Sequence, residues 1–289
     1  MEPNPDENIN KCVNEYYEEY YDFLTIEQGK IFTEETLSGE KNWANAIEFI
    51  MSHLMLRGRS DVLSITYTDY FVKVLKLDKS PTENEIREKK KILEEVIASI
   101  EPKEKSSKKP GKSITDEQLA EKFEVENLGF NKYKLNPRDM KMIDGLLGFQ
   151  IELFVSGRKN MFDHLAELIS QENVTQAYID LINISNVGDK LAAFTLRDIV
   201  FISTKCQSLK LKTCDYLMLF PIDTWVKKGG KELIGETGES QSDKVLILKF
   251  RLISICKNMT SIKTDPLLPL KLNAGIWFCK YKQNRKQKH

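Results

Sequence analysis

Several common signatures are missing from this chain, and each absence narrows the reading. The five cysteines, Cys12, Cys206, Cys214, Cys256 and Cys279, form no C-x-x-C pair. An odd, scattered set excludes a disulfide framework and leaves reduced thiols. The three histidines, His53, His164 and His289, are too dispersed for a zinc site, so no metal ligand is assigned. There is no apolar run of about 18 residues, so no transmembrane helix is expected. The start, Met1-Glu2-Pro3-Asn4-Pro5-Asp6, has neither the basic residues nor the apolar stretch of a secretory signal. The expected compartment is the cytoplasm, at the nucleoid in a prokaryote, or the nucleus in a eukaryote.

Net charge is also lacking, at +0, which alone would argue against a nucleic-acid partner. Its distribution argues otherwise. Residues 1–40 carry eleven acidic and two basic side chains, a balance of −9, and the rest of the chain therefore carries +9. An acidic arm on a basic body still presents a surface that attracts phosphate. With 289 residues, 41% of them hydrophobic, the chain can bury a substantial core.

Apolar periodicity predicts helix nearly throughout, over 8–26, 42–55, 60–77, 80–100, 114–123, 137–154, 159–171, 174–182, 188–206, 223–233 and 242–259. Ser80-Pro81-Thr82-Glu83 starts one of these, with Pro81 suited to its first turn. Residues 101–113 contain no apolar side chain and two prolines, so they read as a basic linker or surface loop. Residues 126–136 are irregular, with room for a short strand pair. The basic tail from Lys280 to His289 reads as frayed.

The most informative stretch runs from Leu181 to Phe194. A short helix ends, Ser185-Asn186-Val187-Gly188 makes a tight turn, and Asp189-Lys190 opens an apolar-faced helix. Asn186 and Gly188 tolerate positive φ, and Val187 between them can anchor the turn in the core. Such a hairpin offers backbone N–H groups at a helix start, an arrangement suited to a DNA phosphate. Downstream, Phe220-Pro221-Ile222-Asp223-Thr224-Trp225-Val226-Lys227-Lys228 leads into a second helix.

These two segments resemble the helix–hairpin–helix DNA glycosylase superfamily, whose hairpin usually reads Leu-Pro-Gly-Val-Gly-x-Lys and whose second motif reads Val-Pro-Val-Asp-Thr-His. Ser185 and Asn186 replace the proline and first glycine. Weaker correspondences extend the likeness over residues 42–280. Arg57-Gly58-Arg59 falls in an early-helix segment that meets DNA in the family. Gly148-Phe149-Gln150 is similar to a Gly-aromatic turn, and Leu272-Asn273-Ala274-Gly275-Ile276-Trp277 is similar to C-terminal helices of archaeal members. Lys190 and Asp223 are 33 positions apart, more than is usual in the family, and the surplus falls between Lys205 and Tyr216. The four-cysteine iron–sulfur loop of some members is absent.

The resemblance implies an all-α fold of two helical subdomains with the active site in the cleft between them. It places an acidic helical arm at 1–41, the glycosylase domain at 42–280 with its hairpin motif at 181–194, and a basic tail at 281–289. The implied activity is that of a bifunctional glycosylase and apurinic/apyrimidinic lyase. It excises a damaged base, an oxidised purine such as 8-oxoguanine by analogy, from duplex DNA. Lys190 is the attacking amine and Asp223 its carboxylate partner. Only a neutral amine attacks the sugar C1′, and the positive end of a helix disfavours an ammonium while favouring a carboxylate. Asn186, Val187, Gly188, Arg57, Gly58, Arg59, Lys227 and Lys228 are the DNA-binding candidates. Phe149, Phe194, Trp225 and Trp277 are candidates for the base pocket. No cofactor is implied beyond a monovalent cation that the hairpin could bind, and a monomer is expected. The sequence leaves two other readings open: a non-catalytic hairpin module that only holds DNA, and a helical scaffold that binds protein.

Overall fold

The computed structural model describes residues 5–27, 32–56, 61–77, 81–100, 116–123, 137–158, 160–207, 209–236, 244–258 and 265–286. Among these, every regular element is helical, and the protein is all-α. The N-terminal segment comprises α1 (Pro5–Lys11), a π-helical turn (Cys12–Tyr16), α2 (Tyr17–Asp22) and a second π-helical turn (Phe23–Glu27). There follow α3 (Glu34–Leu37), α4 (Trp43–Leu54), α5 (Asp61–Val74), α6 (Glu83–Ile100), α7 (Asp116–Phe123) and α8 (Pro137–Val155). The chain continues through α9 (Met161–Ser170), α10 (Val174–Ile182), α11 (Asp189–Ile202) and α12 (Thr213–Leu219). It ends with α13 (Thr224–Leu233), α14 (Val245–Asn258) and α15 (Leu268–Lys286). None of the described helices is long and apolar enough to cross a membrane. The basic segment 101–113, the irregular segment 126–136 and Arg57-Gly58-Arg59 lie outside the described residues.

Local chemistry sets several helix boundaries away from where periodicity alone puts them. Helix α6 starts after Thr82, not at Pro81. The Thr82 N–H donates to Glu85 Oε2 at 2.6 Å, and the Glu85 N–H donates back to Thr82 Oγ1 at 3.3 Å. This reciprocal cap leaves Pro81 ahead of the helix. Gly148-Phe149-Gln150 is not a turn but lies inside α8, because Ile143, Leu146, Leu147, Gln150 and Leu153 form one buried stripe at helical spacing. The tail from Lys280 to Lys286 is helix rather than frayed chain. Lys280 pairs with Glu232 and Lys282 with Glu19, and Tyr281 extends the aromatic stripe begun by Trp277 and Phe278.

The chain divides into two compact units. The first takes the described residues of Met1–Glu34, Leu165–Ile179 and Asp189–His289. Its core is α11, in which every residue from Leu191 to Ile202 is buried. The N-terminal segment lies along α15, where the rings of Tyr20 and Phe23 meet those of Trp277 and Phe278. The approach is closest at Gly275. A Cβ there would stand 2.7 Å from the carbonyl carbon of Cys12 and nearer still to its oxygen.

The second unit takes the described residues of Glu35–His164 and Asp180–Gly188. Its core joins Phe49, Ile50 and Leu54 of α4, Ile86, Leu93 and Val96 of α6, and Ile143, Leu146 and Leu147 of α8. His53 and His164 are structural here. The His53 Nδ1 lies 2.8 Å from the Phe49 carbonyl, and the His164 Nε2 lies 2.8 Å from Asp180.

Candidate active site

The hairpin after α10 is held from below and open above. Ile184 and Val187 are buried, while Ser185, Asn186 and Gly188 are exposed. The Val187 N–H donates to the Ile184 carbonyl at 3.0 Å, which closes the turn. Helix α8 supports it through Gly145, whose missing side chain lets the Ser185 nitrogen and Ile184 approach; an added Cβ would lie 3.1 Å and 3.2 Å from them. Asn186 takes the left-handed conformation, with φ +66°. Gly188 does not: its backbone is outside the positive-φ region and a Cβ there would meet open space. The expectation of positive φ at Gly188 is thus corrected. Asn186 alone makes the reversal, and the glycine precedes a helix whose ordinary backbone needs no such freedom.

Lys190 occupies the first turn of α11 and is half-buried. Its neighbour Asp189 is tied down on two sides. The Tyr178 hydroxyl donates to Asp189 Oδ1 at 2.9 Å, and Lys249 Nζ of α14 stands 3.3 Å from Oδ2. Lys249 also donates to the Leu217 carbonyl at 2.8 Å, and its side chain is almost wholly buried. Burial pushes the Lys249 amine below the ordinary lysine range, with Asp189 acting in the opposite sense. Held by Asp189 and the Leu217 carbonyl, this amine braces the start of α11.

Asp223 caps α13 from an extended backbone, its Oδ1 accepting from the Val226 N–H at 2.8 Å. A plain N-cap would need no more. Here the second oxygen is also directed, because Trp277 Nε1–H of α15 donates to Oδ2 at 3.0 Å. Around that indole other aromatic rings converge. Trp277 lies 5.3 Å from Trp225, 5.9 Å from Phe194 and 5.3 Å from Tyr281, nearly parallel to the last. Trp225 is half-buried and the other three rings are buried.

Beneath the rings lies a polar cluster sealed from solvent. Arg197 is fully buried and donates from Nε to Asp198 at 2.9 Å, from Nη1 to Asn273 Oδ1 at 2.6 Å, and from Nη2 to the Tyr20 hydroxyl. The Tyr20 hydroxyl in turn donates to Asp198 Oδ2 at 2.5 Å. Burial opposes the guanidinium charge, but Asp198 and Tyr20 more than offset it and raise the Arg197 pKa. Burial also pushes the Tyr20 phenol well above its ordinary range, so it stays neutral. The guanidinium lies 4.4 Å from the Phe194 ring centre, on a cation–π contact.

No protein-family model, curated protein or solved structure matches this chain.

Lys190, Asp223, Phe194, Trp225, Trp277, Lys227 and Lys228 all fall in the first unit, and Asn186, Val187 and Gly188 in the second. Lys227 is half-buried and Lys228 exposed on α13. Phe149 belongs to the second unit, where its ring packs 5.8 Å from His164. Arg57, Gly58 and Arg59 are outside the described residues. Tyr20, Arg197, Asp198, Lys249 and Asn273 are given no individual role by the sequence motifs. One signal was available: Arg197-Asp198 interrupts an otherwise apolar run, and adjacent opposite charges inside such a run mark a buried pair. Among the described residues no three His, Cys, Asp or Glu side chains converge to hold a metal ion.

Proposed function

We propose that the chain is a helix–hairpin–helix DNA glycosylase with lyase activity, excising an oxidised base from duplex DNA through an imine on Lys190. The observation that carries this reading is Asp223. Both of its oxygens are aimed by N–H donors, one from its own helix and one from Trp277, itself packed among aromatic rings, in the same unit as Lys190. A carboxylate held so firmly is preorganised to stabilise a cationic sugar. Trp225, half-buried at the edge of the ring cluster, supplies an apolar face of the kind that stacks on an extruded base, with Phe194 and Trp277 packed behind it. The exposed hairpin supplies backbone donors of the kind that fix a phosphate and set the register on the duplex.

In the proposed reaction the neutral Lys190 amine attacks C1′, the C1′–N bond breaks, and the base leaves with a proton. The lysine nitrogen, left with one proton, then forms a protonated imine as the C1′–O4′ bond breaks and O4′ takes up a proton from solvent. Removal of a C2′ proton then expels the 3′-phosphate by β-elimination. Asp223 balances the positive charge that develops on the sugar.

Borohydride reduction in the presence of a duplex containing one 8-oxoguanine tests this directly. Wild type should give a covalent protein–DNA adduct, and Lys190→Gln should give none while still binding DNA. Asp223→Asn retains the cap and should slow single-turnover base release by about 10²-fold. An adduct undiminished in Lys190→Gln removes Lys190 from the chemistry. The hairpin would serve a non-catalytic DNA-holding module equally well; such a module binds the duplex and yields no adduct even in wild type.

A further inference from the structure

We propose that Asn273 is a positioning residue for Asp223, linking the N-terminal segment by a chain of buried hydrogen bonds to the Pro221 carbonyl, two residues before the catalytic carboxylate. The inference rests on the reading of Asp223 as catalytic. It starts from the backbone ahead of that residue. Phe220, Pro221 and Ile222 are buried between α12 and α13, where a buried carbonyl must find a donor. The Pro221 carbonyl finds it in Asn273 Nδ2, at 2.8 Å. The orientation of that amide is not free. Arg197 has only donors, so the Asn273 oxygen must face it, and the NH2 group must face Pro221.

Arg197 is fixed in turn by Asp198 and by the Tyr20 hydroxyl, which comes from α2. One helical turn beyond Asn273, on the same helix, Trp277 donates to Asp223 Oδ2. Helix α15 therefore grips the Pro221–Asp223 segment at two points spaced i, i+4. Asn273 holds the main chain two residues before the carboxylate, and Trp277 holds the carboxylate itself. Losing the first grip lets the segment move relative to the second. Displacing a reacting group by about 1 Å costs on the order of 10²-fold in rate.

The isosteric variant Asn273→Asp keeps an acceptor for Arg197 but sets an oxygen against the Pro221 carbonyl. The full chain is labelled with nitrogen-15 at its three tryptophans, and the indole resonance of Trp277 is assigned by its loss in Trp277→Phe. That resonance reports the hydrogen bond to Asp223 with no DNA present. In Asn273→Asp it should shift toward the position of a free indole. Single-turnover release from an 8-oxoguanine duplex should fall by about 10²-fold, with affinity for undamaged duplex unchanged. Should this variant fail to fold, Asn273→Ser, too short to bridge Arg197 and Pro221, is read in the same way. An unmoved indole resonance together with an unchanged release rate overturns the positioning role. If instead Asp223→Asn releases base at the wild-type rate, the catalytic reading of Asp223 fails. The indole shift then still decides whether Asn273 sets the carboxylate's place.

Discussion

Replacing Gly275 by alanine should destabilise the protein, against the usual direction of that substitution. Inside a helix, Gly→Ala ordinarily adds about 1 kcal/mol of stability. At Gly275 the new Cβ would stand 2.7 Å from the carbonyl carbon of Cys12 and 3.0 Å from its Cα. Carbon atoms pack at about 3.5–4.0 Å, so the π-helical turn at Cys12–Tyr16 must retreat by about 1 Å. The obstacle is main chain, which no rotamer change can relieve. The turn is also pinned, since Ile9, Val13 and Tyr20 are buried on the same segment and Tyr20 is bonded to Arg197 and Asp198. An overpacking cost near the upper end of the usual range, about 3 kcal/mol, exceeds the propensity gain and leaves a net loss of about 2 kcal/mol. For a chain of 289 residues that corresponds to a fall in Tm of about 3 °C. Amide hydrogen exchange should locate the loss, with protection falling first between residues 9 and 24. Gly188→Ala is the matched control, with open space at its Cβ and ordinary backbone, and should melt like wild type. A Gly275→Ala protein that melts at or above the wild-type temperature would refute the reasoning.

Three further perturbations separate structure from function. Arg197→Met strands the buried Asp198 carboxylate and the Asn273 oxygen and should cost about 3–5 kcal/mol, read from denaturant unfolding; a loss under about 1 kcal/mol would mean that the cluster is not held by this cation. Gly188→Val should leave Tm unchanged yet lower affinity for damaged and undamaged duplex together, if the hairpin meets phosphate; equal affinities would take the turn off the DNA. Lys249 has a folded-state pKa below its ordinary value near 10.5, so between those two values the unfolded chain binds more proton and stability rises with pH. The Tm of wild type relative to Lys249→Met should therefore increase toward about pH 10, and a flat difference would contradict the burial argument.

Much of the fold was legible because apolar spacing records which helix face is buried. Helices α8, α10 and α13 fall within a residue or so of where periodicity places them. What periodicity could not show were features set by contacts distant in sequence. The two π-helical turns, which bring the Cys12 carbonyl onto Gly275, leave no mark in the local pattern. The basic tail reads as solvated, but its lysines meet Glu232 and Glu19, which lie far off in sequence. Thr82 and Glu85 form a readable capping signal, which sets the helix start after Thr82 despite the suitability of Pro81 for a first turn.

At the candidate site the individual residues were easier to read than the reasons for their positions. Asp223 before an amphipathic helix is visible as a cap in any sequence, and a cap requires only one of its oxygens. What sets it apart is the indole on its second oxygen, supplied from 54 residues downstream. Asn273, one turn earlier on the same helix, is inconspicuous between Leu272 and Ala274, yet it is the link between a buried arginine and the carbonyl of Pro221. Charged and amide side chains are read from sequence as surface groups because isolated ones cannot afford burial. Arg197, Asp198, Asn273 and Tyr20 are buried because each answers the others' hydrogen-bonding needs, and none of the four would be stable there alone. Such a cluster fixes one arrangement of α2, α11 and α15, and with it the place of a carboxylate that none of the four touches.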